Sequence, residues 1–137
     1  MKVDPYLNFD GNCAEAFRFY EQLLGGQIET MMTFGESPMA DQTPPGNRDQ
    51  IMHVSMLVDG QRIMASDAPA GYYQKPQGIY VSLNVERAAD ARRIFDAFAE
   101  GGTVTMPFEK TFWAVGGFGM VIDRFGTPWM INCEDAS

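Results

Sequence analysis

The chain contains a single imidazole, His53, among its 137 residues. A histidine can act as a general base near neutral pH, and it can equally be a hydrogen-bonded structural residue. One histidine per protomer excludes a two-histidine metal site, a His/Cys zinc cluster and a histidine relay. The two cysteines, Cys13 and Cys133, have no C-x-x-C spacing. Cys13 opens a predicted helix, where the helix dipole lowers a thiol pKa. With no second histidine to activate it, Cys13 reads as a packed small hydrophobe. Arg62 could hold a carboxylate or phosphate oxygen, or simply be solvated. Trp113, beside Phe112 in a stretch containing Gly116, Gly117 and Gly119, could stack on a ligand or fill the core.

Other chemistries are excluded by what is missing. No G-x-x-x-x-G-K-[ST] loop occurs, and the glycines at 116–119 open no helix, so neither a P-loop nor a dinucleotide turn is present. Eighteen acidic against ten basic residues give a net charge of −8, a field that repels nucleic acid. No run approaches the ~18 apolar residues of a membrane span. The start, Met1-Lys2-Val3-Asp4-Pro5, lacks an apolar leader. With two cysteines and no disulfide framework, the expectation is a cytoplasmic protein that meets neither membrane nor nucleic acid.

The elements that must position these residues read as one motif written twice. The first copy predicts a strand over 6–9 and a helix from Cys13 to Leu24. Asn12 is its expected N-cap, in a capping box with Glu15, and Gly25-Gly26 stops it. Strands follow near 27–34, 50–58 and 61–67, the last two joined by the Asp59-Gly60 hairpin signal. The second copy predicts a strand over 79–85, a helix over 87–99 stopped by Gly101-Gly102, and strands near 103–107, 117–123 and 128–133. Gly25 and Gly101 lie 76 residues apart, Gly60 and Gly126 only 66. The difference is the longer polar segment from Gly35 to Asp49 in the first copy. The fold class is therefore α+β: duplicated βαβββ modules in a single domain spanning 1–137, with module one at 5–67, a linker at 68–77 and module two at 78–133.

Strand alternation sorts the side chains. Leu7, Phe9, Val81, Leu83 and Val85 should pack on the helices, as should Met52, Val54, Met56 and Val58. The opposite faces then carry Tyr6, Asn8, His53, Ser55, Arg62, Met64, Ser66, Tyr80, Ser82, Asn84, Met130 and Asn132. Apolar walls with scattered hydrogen-bonding groups suit a small organic ligand, while a solvated polar face remains the alternative.

Several stretches resemble the PhnB-like branch of the vicinal oxygen chelate superfamily, which includes glyoxalase I, ring-cleaving dioxygenases and the bleomycin and fosfomycin resistance proteins. They are Phe9-Asp10-Gly11-Asn12-Cys13-Ala14-Glu15-Ala16-Phe17, Met52-His53, Ala65-Ser66-Asp67, Glu100-Gly101-Gly102, Thr111-Phe112-Trp113 and Asp123-x-Phe125-Gly126-x-x-Trp129. The resemblance implies curled mixed sheets around a concave cavity, with 35–49 as a lid beside it. It also implies a homodimer, because an open sheet leaves edges to be covered. Metal-using members carry His or Glu at the start of the first strand and in the last strand of each repeat. Those positions map near Asp4, Met64, Tyr80 and Met130, and thioethers are poor ligands for a hard divalent ion. The expectation is a cavity with no metal and no cofactor, binding a small molecule. His53 acid–base chemistry, a metal site completed across a dimer and a structural module with a filled cavity are the alternatives. Branch members sometimes carry a ubiquinone methyltransferase label, yet this chain has no strand–glycine loop–helix unit to bind a nucleoside cofactor.

Overall fold

The computed structural model describes residues 1–136. Its elements run β1 (Tyr6–Phe9), α1 (Cys13–Leu24), β2 (Gln27–Thr33), β3 (Ile51–Val58), β4 (Gln61–Asp67), β5 (Val81–Asn84), α2 (Ala88–Ala99), β6 (Thr103–Glu109), β7 (Gly117–Ile122) and β8 (Pro128–Cys133). The chain divides into two units, Met1–Gln74 and from Lys75 onward. Each holds a four-stranded mixed sheet with the same order, β1-β4-β3-β2 and β5-β8-β7-β6. The first strand pairs parallel with the last in each unit, and the remaining pairs are antiparallel. This is the α+β class expected of the sequence. No helix among the described residues is long and apolar enough to cross a membrane.

Each helix buries one stripe against its own sheet. Cys13, Ala16, Phe17 and Tyr20 of α1 are buried, with Phe9, Val54, Met56, Ile63 and Ala65 completing that core. Ala91, Ile94, Phe95 and Phe98 of α2 do the same, with Val121, Trp129 and Ile131. Phe98 stacks on Trp129 with ring centroids 4.5 Å apart. Helical spacing of apolar residues thus translates directly into burial.

The glycine pairs divide the work of stopping the helices. Gly25 (φ 66°) and Gly101 (φ 73°) take the left-handed turn that a β-carbon disfavours. Gly26 and Gly102 instead lie under neighbouring backbone: a Cβ on Gly26 would sit 3.0 Å from the Leu57 carbonyl oxygen, and one on Gly102 would sit 2.7 Å from that of Phe98.

Three local expectations are corrected. Asn12 makes no side-chain capping bond. The carboxylate of Asp67 accepts from Gly11 and Cys13 N–H instead, at 2.9 and 3.1 Å, because a charged acceptor at a helix N-terminus outcompetes a neutral amide. Strand β5 begins at Val81 rather than 79, so Tyr80 lies ahead of it, and Ile79 is exposed. In β3 the core row breaks at its start: Ile51 is buried and Met52 is not. The cause is a bulge, since Met32 pairs with His53 while Thr33 pairs with Ile51.

The segment after β2 forms three short 3₁₀ turns, at Phe34–Glu36, Ala40–Gln42 and Pro45–Asn47. Its base is tied by Phe34 N–H to Gln50 and Gly35 N–H to Arg48, both at 2.9 Å. Thr33 and Glu36 cap each other there, and those hydrogen bonds hold the Glu36 carboxyl below its usual range.

Candidate functional site

The sheet face away from α1 gathers most of the first module's candidate residues. One cross-strand row runs Tyr6, Met64, Ser55 and Thr30 over β1, β4, β3 and β2. Beside it, Asn8 pairs with Ser66, and the Ser66 hydroxyl donates to Asn8 Oδ1 at 3.4 Å. His53 stands next to this pair on β3. Its Nδ1 is 3.0 Å from the Tyr6 hydroxyl, and the two rings stack at 5.7 Å. If the phenol donates to Nδ1, the neutral imidazole keeps its proton on Nε2.

Arg62 faces the same side. One guanidinium nitrogen lies 2.6 Å from Glu29 Oε1 and donates to the Ser55 hydroxyl. Arg62 and Glu29 are 38% and 39% exposed, so the ion pair is open to solvent and its remaining donors stay within reach of a ligand. Glu29 is absent from the sequence expectation. It is there because of a bulge: Ile28 pairs with Met56 and Thr30 with Ser55, which leaves Glu29 extra and turned toward Arg62. Strict alternation gives no signal for it.

The second module repeats the row with different chemistry. Ser82, Met130, Met120 and Met106 lie in register across β5, β8, β7 and β6. The next row carries Asn84, Asn132 and Phe118, with Asn132 Nδ2 donating to Asn84 Oδ1 at 3.1 Å. Trp113 sets its ring edge against Phe118, centroids 5.3 Å apart, and is 48% exposed. It therefore borders this face. The glycines after it serve packing: a Cβ on Gly117 would overlap the Phe108 ring, and one on Gly119 would lie 2.6 Å from Phe95.

These rows also settle how the strands correspond. The register places Tyr6 beside Met64 and Ser82 beside Met130, so the side chains next to the two methionines on the first strands are a phenol and a hydroxyl. A phenol, a hydroxyl and two thioethers do not fit a hard divalent ion. Among the described residues, no three His, Cys, Asp or Glu side chains come together as a metal set. A nucleoside cofactor fits no better at the first helix, whose N-terminal amides at Gly11 and Cys13 are already taken by Asp67. Cys13 is sealed in the core, and burial, aided by the Asp67 charge, pushes its thiol pKa well up. It is not a nucleophile.

A family model described as 3-demethylubiquinone-9 3-methyltransferase matches residues 1–132. The chain is 36% identical over 140 residues to Protein YjdN of Escherichia coli K12, covering 96% of this chain and 95% of that one. Among solved structures, protein PA1353 from Pseudomonas aeruginosa is 49% identical with a TM-score of 0.89, over 98% of both chains. A Bacillus cereus protein described as a putative 3-demethylubiquinone-9 3-methyltransferase, PhnB protein, gives a TM-score of 0.81 at 21% identity, over 97% and 99% of the two chains. The same fold recurs, at 12% identity and a TM-score of 0.62, in a glyoxylase/bleomycin resistance protein/dioxygenase domain from Frankia.

Proposed function

The chain belongs to the 3-demethylubiquinone-9 3-methyltransferase family, a PhnB-like branch of the vicinal oxygen chelate superfamily, and from that premise we propose that it binds a small organic molecule without a divalent metal ion. The observation that supports this most is the row of Tyr6, Met64 and Ser55 beside the Arg62–Glu29 pair. A half-exposed thioether gives an adaptable apolar floor, the guanidinium offers donors to an anionic or carbonyl oxygen, and the phenol and imidazole add orienting hydrogen bonds. The proposed ligand is amphipathic, with an apolar body on Met64 and an oxygen-rich end toward Arg62. The protein acts as a homodimer in this reading. The methyl-transfer wording of the family description does not carry over, because these small mixed sheets have no glycine-rich turn leading into a helix.

A second reading is favoured by one contact, the 3.0 Å approach of the Tyr6 hydroxyl to His53. That pair could shuttle a proton to or from a ligand seated on the same row.

Elemental analysis and a thermal-shift screen of organic acids and aromatic ketones test the proposal. Less than a tenth of an equivalent of Zn, Ni, Mn or Fe per chain is expected, together with hits that raise the melting temperature. Those gains should be lost in Arg62→Met but kept in Arg92→Met. One metal per chain, removed by a chelator together with stability, would overturn it. For the second reading, Tyr6→Phe should lower kcat for a hit far more than it weakens binding, whereas an equal loss of both would leave Tyr6 with a binding role only.

A further inference from the structure

The methionine row of the second module calls for its own explanation. Met106, Met120 and Met130 stand in register on three adjacent antiparallel strands, β6, β7 and β8. All three retain exposure, Met106 at 44% and the other two partly. Sheet faces that only pack or only meet solvent favour β-branched, aromatic or polar residues. Three aligned, accessible thioethers suit neither role. Adjacent strands lie about 4.8 Å apart, which leaves the outer methionines about 10 Å apart across Met120. Two flexible side chains reaching inward from that distance can bring their sulfurs over the central one.

We propose that Met106, Met120 and Met130 bind a soft monovalent cation, Cu(I) or its analogue Ag(I), through three thioether sulfurs. Soft sulfur ligands select Cu(I), while hard and borderline divalent ions need oxygen, nitrogen or thiolate. The row's one such donor is the neutral Ser82 hydroxyl, which alone cannot hold a divalent ion. The overall charge of −8 draws cations to the surface. The corresponding row of the first module reads Tyr6, Met64, Ser55 and Thr30, with one thioether only, so the site belongs to the second module alone. It rests on different residues from the organic-ligand site proposed on the first module, and either proposal can fail without the other.

The test uses the full-length protein with methyl-¹³C-labelled methionine, titrated with Ag(I) and, under anaerobic conditions, with Cu(I). Of the ten methionine methyl resonances, those of Met106, Met120 and Met130 should shift together and saturate at one equivalent, with Zn(II) producing no shift. The single variants Met106→Leu, Met120→Leu and Met130→Leu preserve side-chain volume, and each should weaken binding at least about tenfold. Met64→Leu should leave it unchanged. Ag(I) taken up with no shift of these three methyls would place it on the cysteines and overturn the proposal, as would unchanged affinity in the leucine variants.

Discussion

Asp67 shows how much a single side chain can carry. It is 1% exposed and its oxygens accept from Gly11 and Cys13 N–H and from Ile51 N–H at 2.8 Å. One carboxylate therefore joins the end of β4, the start of α1 and the start of β3. Removing it would leave the buried Cys13 and Ile51 amides and the part-buried Gly11 amide unpaired, so Asp67→Ala should lower unfolding free energy by about 3 kcal/mol or more, measured by urea denaturation. Asn12→Ala should cost less than about 1 kcal/mol, since its side chain makes no cap. Cys13 gives a pH prediction. Its folded thiol pKa is raised by burial, whereas in the unfolded chain it ionises near 8.5. Above that pH the unfolded state releases a proton that the folded state keeps, so stability falls as pH rises, by up to about 1.4 kcal/mol per pH unit. Below it, Cys13 contributes no slope. Cys13→Ala should flatten the decline between pH 9 and 10, roughly the window above the free thiol value, and the native thiol should resist a disulfide reagent at pH 8.

The elements were legible wherever the signal was local. Both helices followed from apolar spacing, both stops from Gly-Gly, and the β3–β4 turn from Asp59-Gly60, whose φ values of 49° and 77° match a tight hairpin. What could not be read arises from contacts distant in sequence. The cap on α1 comes from 54 residues away, and two bulges in β2–β3 put Glu29 beside Arg62 and took Met52 out of the core row. Bulges depend on how two strands meet, which a single strand's alternation does not encode. The candidate residues of β1, β4 and β8 were found because those strands pair without irregularity. Met106 and Met120 were missed because only cross-strand register aligns them with Met130. The glycines after each helix allow a further prediction. Gly102→Ala must displace the Phe98 and Ile122 carbonyls and should cost about 1–3 kcal/mol. Gly46→Ala, with open space around it, should be nearly neutral in the same melt.

Two small sheets, each covered by one helix, leave backbone groups unpaired at β1, β2, β5 and β6, the outer strands of the two sheets. Proteins cover or pair such edges, because an exposed ladder recruits other chains. Edge β6 carries Val104, 43% exposed, and the segment leading to β7 adds Phe112 at 93%. Apolar side chains at an open edge are what a permanent partner would cover, and a chain that covers its own copy does so by twofold symmetry. The net charge of −8 opposes association at low salt and is screened at physiological ionic strength. Sedimentation equilibrium should therefore find a species at twice the 15.3 kDa chain mass, tightening as salt rises from 10 to 150 mM, where the screening length falls from about 30 to about 8 Å. Phe112→Ser combined with Val104→Lys should shift that species toward the single-chain mass while leaving the far-ultraviolet spectrum intact. A 15.3 kDa species in the unaltered protein, constant over a hundredfold range of concentration, would show that the edges are satisfied without a second copy.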